Sequence, residues 1–322
     1  MKKKQYQDSL ALCECCDAKT IKVSAMKRGY SFRKCTNCKA VFVFPQPSLE
    51  ELNDIYKTSE GYFATACTNL KLASPLESQQ LHDTLLKFVS GSDRFLDVGC
   101  SSGKLIYFLR VLGWQVFGCD VNEGAIEIAK KNGLDVRLAT LESANYSNQS
   151  FDVINMGDVL EHLKSPEKTL KLAHELLSKK GLIVIRVPNV RSSFSIMTLW
   201  LSRITKLPWV HSEAPYHLFE FSPIGVTKLL DKCEFAIESI EVSGQAGFMY
   251  TVGAAGWFDE LKKKLKRSGK YKINTELLPY LPKLIIAVIL LFPLHLVSLI
   301  TDAYRRSGHT VMVIARKKME HS

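Results

Sequence analysis

Arg94 to Asp120, RFLDVGCSSGKLIYFLRVLGWQVFGCD, is the stretch that decides the fold. Phe95-Leu96-Asp97-Val98 is a short apolar run of the kind that forms a buried strand. A small-residue turn follows, Gly99-Cys100-Ser101-Ser102-Gly103, and then a helical pattern with apolar residues at Leu105, Phe108, Leu109 and Leu112. Gly113 stops that helix, and Gln115 to Cys119 reads as the next strand, ending in Asp120. Strand, turn, helix and strand in this order begin a parallel α/β sheet, whose ligands sit at the carboxyl ends of the strands. The small residues let backbone approach a ligand closely, and the helix N-terminus offers unpaired N–H groups. An ionised Asp at the tip of the second strand suits a ribose diol, because it accepts two hydrogen bonds.

These features fit a dinucleotide and an adenosyl ligand equally, so glycine spacing decides between them. A dinucleotide loop requires G-x-G-x-x-G. Counted from Gly99, this chain has Ser101 and Lys104 at the later glycine positions. The D-x-G-x-x-x-G spacing of Asp97, Gly99 and Gly103 instead resembles motif I of class I S-adenosylmethionine-dependent methyltransferases, with Ser101 where that family usually has a third glycine.

Downstream, Asn122 caps a helix to Lys131 that Gly133 ends, and Leu134 to Leu138 reads as a third strand. The fourth is Phe151 to Met156, and Pro166 opens a helix that leads to a fifth strand, Leu182 to Val187. The stretch FDVINMGDVLEHL, followed by LLSKKGLIVIRVPN, is similar to the region after motif I in the same superfamily. Phe235 to Val242 reads as strand six, and His309 to Arg316 resembles the antiparallel last strand that closes this fold. The resemblance implies an α/β, Rossmann-like sheet of seven strands, the last antiparallel. It further implies that Asp97, Gly99, Cys100, Gly103, Asp120, Val121, Leu141, Glu142 and Gly157 bind S-adenosylmethionine. Asp97 would fix the methionine amino group, Asp120 the ribose, and the loop Ala139 to Glu142 the adenine.

Transfer of a methyl group from a sulfonium is an in-line displacement, so the enzyme mainly positions the reactants and removes a proton. His162 follows strand four, where a neutral imidazole can accept that proton near pH 7. Asp158-x-x-Glu161-His162 resembles the ligand set of small-RNA 2′-O-methyltransferases and demethylubiquinone-type O-methyltransferases. In the former a further histidine comes from an H-x-F-x-W/F stretch, which His217-Leu-Phe-Glu-Phe221 matches. Asp158, Glu161, His162 and His217 would then hold a divalent ion that acidifies a hydroxyl substrate. Without a metal, His162 and His217 are expected to line the acceptor pocket. Phe194 to Trp209, after strand five, falls where this fold commonly places its acceptor lid.

Ahead of the sheet, Cys13-Glu-Cys-Cys16 is separated by eighteen residues from Cys35-Thr-Asn-Cys38. Two C-x2-C knuckles at this separation have the spacing of a zinc ribbon, with Cys13, Cys16, Cys35 and Cys38 as thiolate ligands and Cys15 to spare. Four thiolates close the coordination sphere, so the zinc would be structural. The segment resembles the zinc-ribbon leader of many bacterial methyltransferases, including sugar methyltransferases. The expected organisation is a leader over 1–63 and a catalytic domain over 74–322.

The chain has 322 residues, 46% of them hydrophobic and 23% charged, which is ordinary for a globular protein and excludes a disordered one. A net charge of +11 predicts an anionic partner. Met1-Lys2-Lys3-Lys4 runs into polar Gln5 to Ser9 rather than an apolar segment, and nine cysteines without an export signal predict reduced thiols or metal ligands in the cytoplasm. Residues 245–306 form an insertion before the last strand. Within it, Trp257, Phe258, Leu261 and Leu265 share one helical face, and seven Lys or Arg lie between Lys262 and Lys272. Leu284 to Ile300 carries no charge over seventeen residues. This pattern predicts a re-entrant or surface-lying insertion on the inner face of a membrane, with a buried core hairpin or dimer interface as the alternative, since a single crossing would strand the last strand on the far side. Two function classes follow. The first is a methyltransferase acting on a small or lipid-linked acceptor of quinone or saccharide type. The second is an RNA modifier or binder using the ribbon and the basic stretch, which the apolar neighbours of that stretch disfavour.

Overall fold

A computed structural model describes residues 12–27, 30–48, 50–52, 76–91, 93–205, 209, 211–244, 293, 296–303 and 307–318. Three strands come first: β1 (Thr20–Lys27), β2 (Tyr30–Cys35) and β3 (Val41–Val43). Helix α1 (Leu76–Leu85) precedes β4 (Arg94–Val98), α2 (Lys104–Val111), β5 (Gln115–Asp120), α3 (Glu123–Lys131) and β6 (Asp135–Leu138). Next come β7 (Phe151–Gly157), a 3-10 turn (Leu160–His162), α4 (Pro166–Leu176), β8 (Leu177–Pro188) and α5 (Ser193–Thr205). The described chain closes with β9 (Phe219–Glu220), α6 (Pro223–Lys232), β10 (Phe235–Ser243), a short helix over 296–303, and β11 (Thr310–Lys317).

The larger sheet has seven strands in the order β10-β11-β8-β7-β4-β5-β6. β7, β4, β5 and β6 run parallel, as does β8 beside β7, while β11 runs antiparallel between β8 and β10. This is the seven-stranded architecture expected from the motif, with the reversed strand in the expected place. The central strands are near-continuous apolar runs because helices cover both faces. On one face Leu85, Ile106, Leu109, Trp114, Ile126 and Ala129 pack against Phe95 and Val153. On the other, Leu170, Ala173, Leu229 and Leu230 pack against Leu96, Ile154 and Ile183. Asn122 caps α3 by accepting from the Ala125 amide, and Pro166 and Pro223 open α4 and α6 at positions where no intrahelical N–H is needed.

The four-stranded sheet joins the two ends of the chain. Its order is β1-β2-β3-β9, so the three leader strands are completed by two residues from beyond α5. Val41 pairs with Glu220 and Phe42 with Phe219, and the Val43 amide donates to the Leu218 carbonyl at 2.9 Å. Ser222 caps α6 by accepting from the Gly225 amide while its hydroxyl donates to the Cys38 carbonyl. Lys232 pairs with Asp17 at 2.9 Å, and the Glu167 amide donates to Glu14. The leader therefore shares a sheet, a helix cap and an ion pair with the rest of the fold. Residues 1–11 and 53–63 of the expected leader lie outside the described residues. So does the expected insertion, apart from 293 and 296–303, and with it the basic stretch from Trp257.

Ser222→Ala removes both the α6 cap and the bond to the Cys38 carbonyl. It should lower the unfolding free energy by about 1–2 kcal/mol in urea titration. An unchanged midpoint would mean that the leader docks without help from this contact.

Candidate active site and thiol cluster

The glycine turn sits at the carboxyl end of β4. Gly99 has φ +74°, and a Cβ there would lie 2.5 Å from a Val159 methyl group. Gly103 has φ +82° at the start of α2, where a Cβ would meet Leu134 at 2.4 Å. Both positions thus exclude a side chain, as a loop built for close backbone approach requires. Asp120, at the tip of β5, accepts from the Ser101 amide and the Asn122 amide, both at 2.8 Å, which fixes its carboxylate against the loop. Val121 beside it is exposed. Cys100 is buried under the turn, against Gly118, where a Cβ would come within 2.8 Å of its sulfur.

Asp97 is buried and accepts from Asn155 at 2.7 Å. Burial lifts its pKa to about 7, against the Asn155 bond, with the nearby Asp120 charge adding to the rise. Leu141 is buried, while Glu142 is exposed and accepts from Thr169. Gly157 ends β7 with Asn155 and Arg186 nearest to it. The structure thus gathers Asp97, Gly99, Cys100, Gly103 and Asp120 at the ends of β4 and β5, next to β7 and Gly157.

The 3-10 turn after β7 turns Glu161 and His162 inward, and the stretch before β9 brings His217 to meet them. Ligand atoms of Glu161, His162 and His217 all lie within 4.8 Å of one another. The two imidazoles pack edge to face, with ring centres 4.8 Å apart. His162 Nδ1 lies 2.9 Å from the Tyr216 carbonyl. A carbonyl only accepts, so Nδ1 carries the hydrogen and Nε2 is the acceptor nitrogen. Burial and the His217 charge push the His162 pKa down to about 4, so this ring is neutral. Glu161 is buried, and its Oε2 has no hydrogen-bond partner among the described residues. Burial lifts its pKa to about 8, the His217 charge opposing.

Asp158 does not join this group. Its carboxylate turns to Arg186, which also lies 3.7 Å from Glu77. The expected four-residue ligand set is therefore three residues here, one carboxylate and two imidazoles. That donor set would suit a divalent transition metal, and the Nδ1 bond of His162 is of the kind that would orient a ligating imidazole.

Several groups in the cluster escaped the sequence reading. Glu220 lies 3.8 Å from His217 Nδ1 and 3.5 Å from His211 Nε2, and Glu213 lies 3.9 Å from His217 Nε2. The His211 and His309 rings are 5.3 Å apart. Burial opposes both charges of the Glu220–His217 pair, yet the pairing wins. It holds Glu220 well below the usual carboxylate range and raises His217 to about 9. Only the H-x-x-E spacing of His217 and Glu220 hinted at this. His211 and His309 carry no local signal.

At the other end of the small sheet, the Cys13 and Cys38 sulfurs are 3.6 Å apart and those of Cys16 and Cys35 are 3.5 Å apart. All four lie within 4.8 Å of one another. A tetrahedron with Zn–S bonds of about 2.3 Å has S···S edges of roughly 3.8 Å, so the cluster has the size of a zinc site. The Asn37 and Cys38 amides donate to the Cys35 sulfur at 3.3 and 3.4 Å, contacts that favour thiolate. Cys15 is buried beside them.

A family model described as a methyltransferase domain matches residues 64–240. The ubiquinone biosynthesis O-methyltransferase of Ruegeria pomeroyi is 30% identical over 141 residues, covering 39% of this chain and 56% of that protein. Its counterpart in Dinoroseobacter shibae is 29% identical over 159 residues, with coverages of 47% and 62%. The chain thus spans little more than half the length of these curated relatives. Among solved structures, the 4+2 cyclase SpnF matches with a TM-score of 0.52 at 15% identity, covering 86% of this chain and 99% of that one. This last likeness concerns the fold alone.

The paired charges give the stability of metal-free protein a defined pH dependence. His217, raised to about 9, lends stability that is full below pH 6.5 and is lost as pH rises through about 9. His162, lowered to about 4, lends stability that is full above pH 6.5 and falls away towards pH 4. Urea titrations in EDTA should show both declines. His217→Gln should flatten the alkaline one; if the decline persists unchanged in that variant, His217 is not its source.

Proposed function

The chain belongs to the family of class I S-adenosylmethionine-dependent methyltransferases, and from that premise we propose that it methylates a hydroxyl group of a small or lipid-linked acceptor of quinone or saccharide type. The observation that carries this reading is the neutral His162, fixed as the Nε2 acceptor tautomer by the Tyr216 carbonyl and packed against His217, in the turn that follows Val159, whose methyl group meets Gly99. An imidazole so held can take a hydroxyl proton, while a cationic His217 beside it favours the oxyanion that results. Similarity to proteins named ubiquinone biosynthesis O-methyltransferases supports oxygen as the methylated atom.

The residues at the ends of β4 and β5 suit S-adenosylmethionine, which supplies an electrophilic methyl group on a sulfonium. Gly99 and Gly103 leave room where side chains would intrude, and Asp120 presents acceptor oxygens beside the exposed Val121. Asp97, with a pKa near 7 and held by Asn155, would accept from the methionine amino group, and an ammonium neighbour would draw it to the ionised form. Leu141 and Glu142 would border the adenine. Glu161, His162 and His217 would hold a divalent ion if the reaction uses one, and such an ion would acidify the acceptor hydroxyl. Cys13, Cys16, Cys35 and Cys38 would hold a structural zinc, which stabilises the sheet that contains β9.

Isothermal titration with S-adenosylhomocysteine should show binding near the micromolar range, about 8 kcal/mol, and Asp120→Ala should weaken it at least about tenfold. His162→Ala should keep that binding and lower turnover by about 100-fold or more. A protein that binds NADH and ignores S-adenosylhomocysteine would sink the reading. Elemental analysis should find about one zinc per chain, lost in Cys35→Ser together with stability of the small sheet. Equal stability in metal-stripped protein would remove zinc from the account.

A further inference from the structure

Two neighbouring helices turn hydroxyl or carboxylate side chains inward and large apolar side chains outward. Helix α5 buries Ser195, Thr198 and Ser202 with Phe194 and Leu199, and turns Trp200 and Ile204 to solvent, with Ile196, Met197 and Leu201 half-buried alongside. Trp200 is 64% exposed, whereas Ser195 and Thr198 have almost no exposure. The inward serine and threonine stripe is satisfied in part by backbone, since Thr198 donates to the Phe194 carbonyl at 2.8 Å. The helix over 296–303 repeats the pattern. Ser298 and Asp302 are buried, while Leu296, Val297 and Ile300 are exposed, the last to 64%. The two helices meet where Asp302 accepts from the Ser193 amide at 3.0 Å, capping α5. A soluble helix normally turns its apolar stripe inward and its polar stripe to water. A single exposed Leu needs no account, but Trp and Ile at successive turns of a helix that buries its hydroxyls do.

Basic residues flank this face. Arg203 lies on the exposed side of α5, one residue from Ile204, and Arg191 lies two residues before the helix begins. Both, with Lys39, stand close enough to Lys34 on β2 to lower its pKa, burial contributing most. Such an accumulation of like charge is self-repelling and calls for an anionic partner.

We propose that the outward face of α5 and of helix 296–303, bordered by Lys34, Lys39, Arg191 and Arg203, docks on an anionic lipid bilayer. The apolar side chains enter the headgroup boundary and the cations meet lipid phosphates. An apolar protein partner would cover the first group and leave the second unmatched; an anionic soluble ligand would do the reverse. The topology agrees with insertion into one leaflet. Ser243 at the end of β10 pairs with Thr310 at the start of β11, so the chain leaves and re-enters the sheet at the same end of these two strands. No helix among the described residues is long and apolar enough to cross a membrane. The proposal deepens the acceptor reading by giving a lipid-linked substrate a place to be met, and it rests on that reading in this respect alone.

The test uses the full-length chain in flotation with phosphatidylglycerol vesicles and with phosphatidylcholine vesicles. Binding should be strong to the first and weak to the second. Trp200→Ser combined with Ile300→Ser should lower the phosphatidylglycerol partition by about tenfold or more, and Arg191→Ala and Arg203→Ala by about fivefold each. Brominated acyl chains in phosphatidylglycerol should quench tryptophan emission, and Trp200→Phe should remove part of that quenching even if the double variant fails to fold. The proposal is overturned if the variants float like the parent chain, or if phosphatidylcholine is bound equally well. It is also overturned if the double variant dissolves a dimer of the parent while its vesicle partition stays the same. S-adenosylhomocysteine titration of each variant separates the two readings. Vesicle binding without nucleoside binding would leave the surface standing and the enzyme reading broken, and the opposite result would do the reverse.

Discussion

The short pairing of β3 with β9 is the constraint on which the histidine cluster depends. Two residue pairs and the Val43–Leu218 hydrogen bond hold β9 against the leader, and His217 and Glu220 flank or belong to that strand. A two-residue strand has little stability of its own. It is held because Phe219 packs on Phe42 and Phe221, and because Ser222 ties the following helix to the Cys38 carbonyl. The thiol cluster, the small sheet and the histidine cluster thus form one mechanical series. Loosening the first would release the strand that sets the last.

Burying Glu161, Glu220, His162 and His217 together carries a large desolvation penalty, which mutual pairing offsets only in part. A hydrophobic core of the same volume would give as much stability or more. The energetic signature of the site is that identical chemistry is driven apart: Glu161 towards the neutral acid and Glu220 towards the anion, His162 towards the neutral base and His217 towards the cation. Opposed shifts in adjacent like groups are the arrangement that separates acid and base roles in an active site.

What the sequence could disclose depended on how local the cause was. The β4–α2–β5 unit was legible because its signals are short-range: buried apolar strands, a positive-φ glycine before a helix, and an acid at a strand tip. The Asn122 cap was legible for the same reason. The fate of Asp158 was not, because its partner Arg186 comes from the next strand of the sheet. Nor was β9, whose existence depends on β3 far earlier in the chain. His211 and His309 approach each other across two separate segments, and neither spacing nor composition announces that.

Helix α5 shows a different limit. Its place after strand five suggested an acceptor lid, and nothing local in the sequence said which of its faces turns inward. The structure turns Leu199 and Trp209 onto Val23, Phe32 and Val41 of the small sheet, with Trp209 edge-on to Phe32 and 5.6 Å from the His211 ring. One side of α5 therefore packs on the sheet that holds β9, and the other carries Trp200 and Ile204 outward. Since Trp209 touches both that sheet and His211, and His211 Nε2 lies 3.5 Å from Glu220, a tilt of α5 would be felt at the buried carboxylate through contacts of packed side chains. Close-packed interiors transmit small displacements in this way because they have few voids to absorb them. The helix that carries Trp200 and Ile204 outward is thus linked, through packed rings and the His211–Glu220 contact, to the carboxylate that raises the His217 pKa.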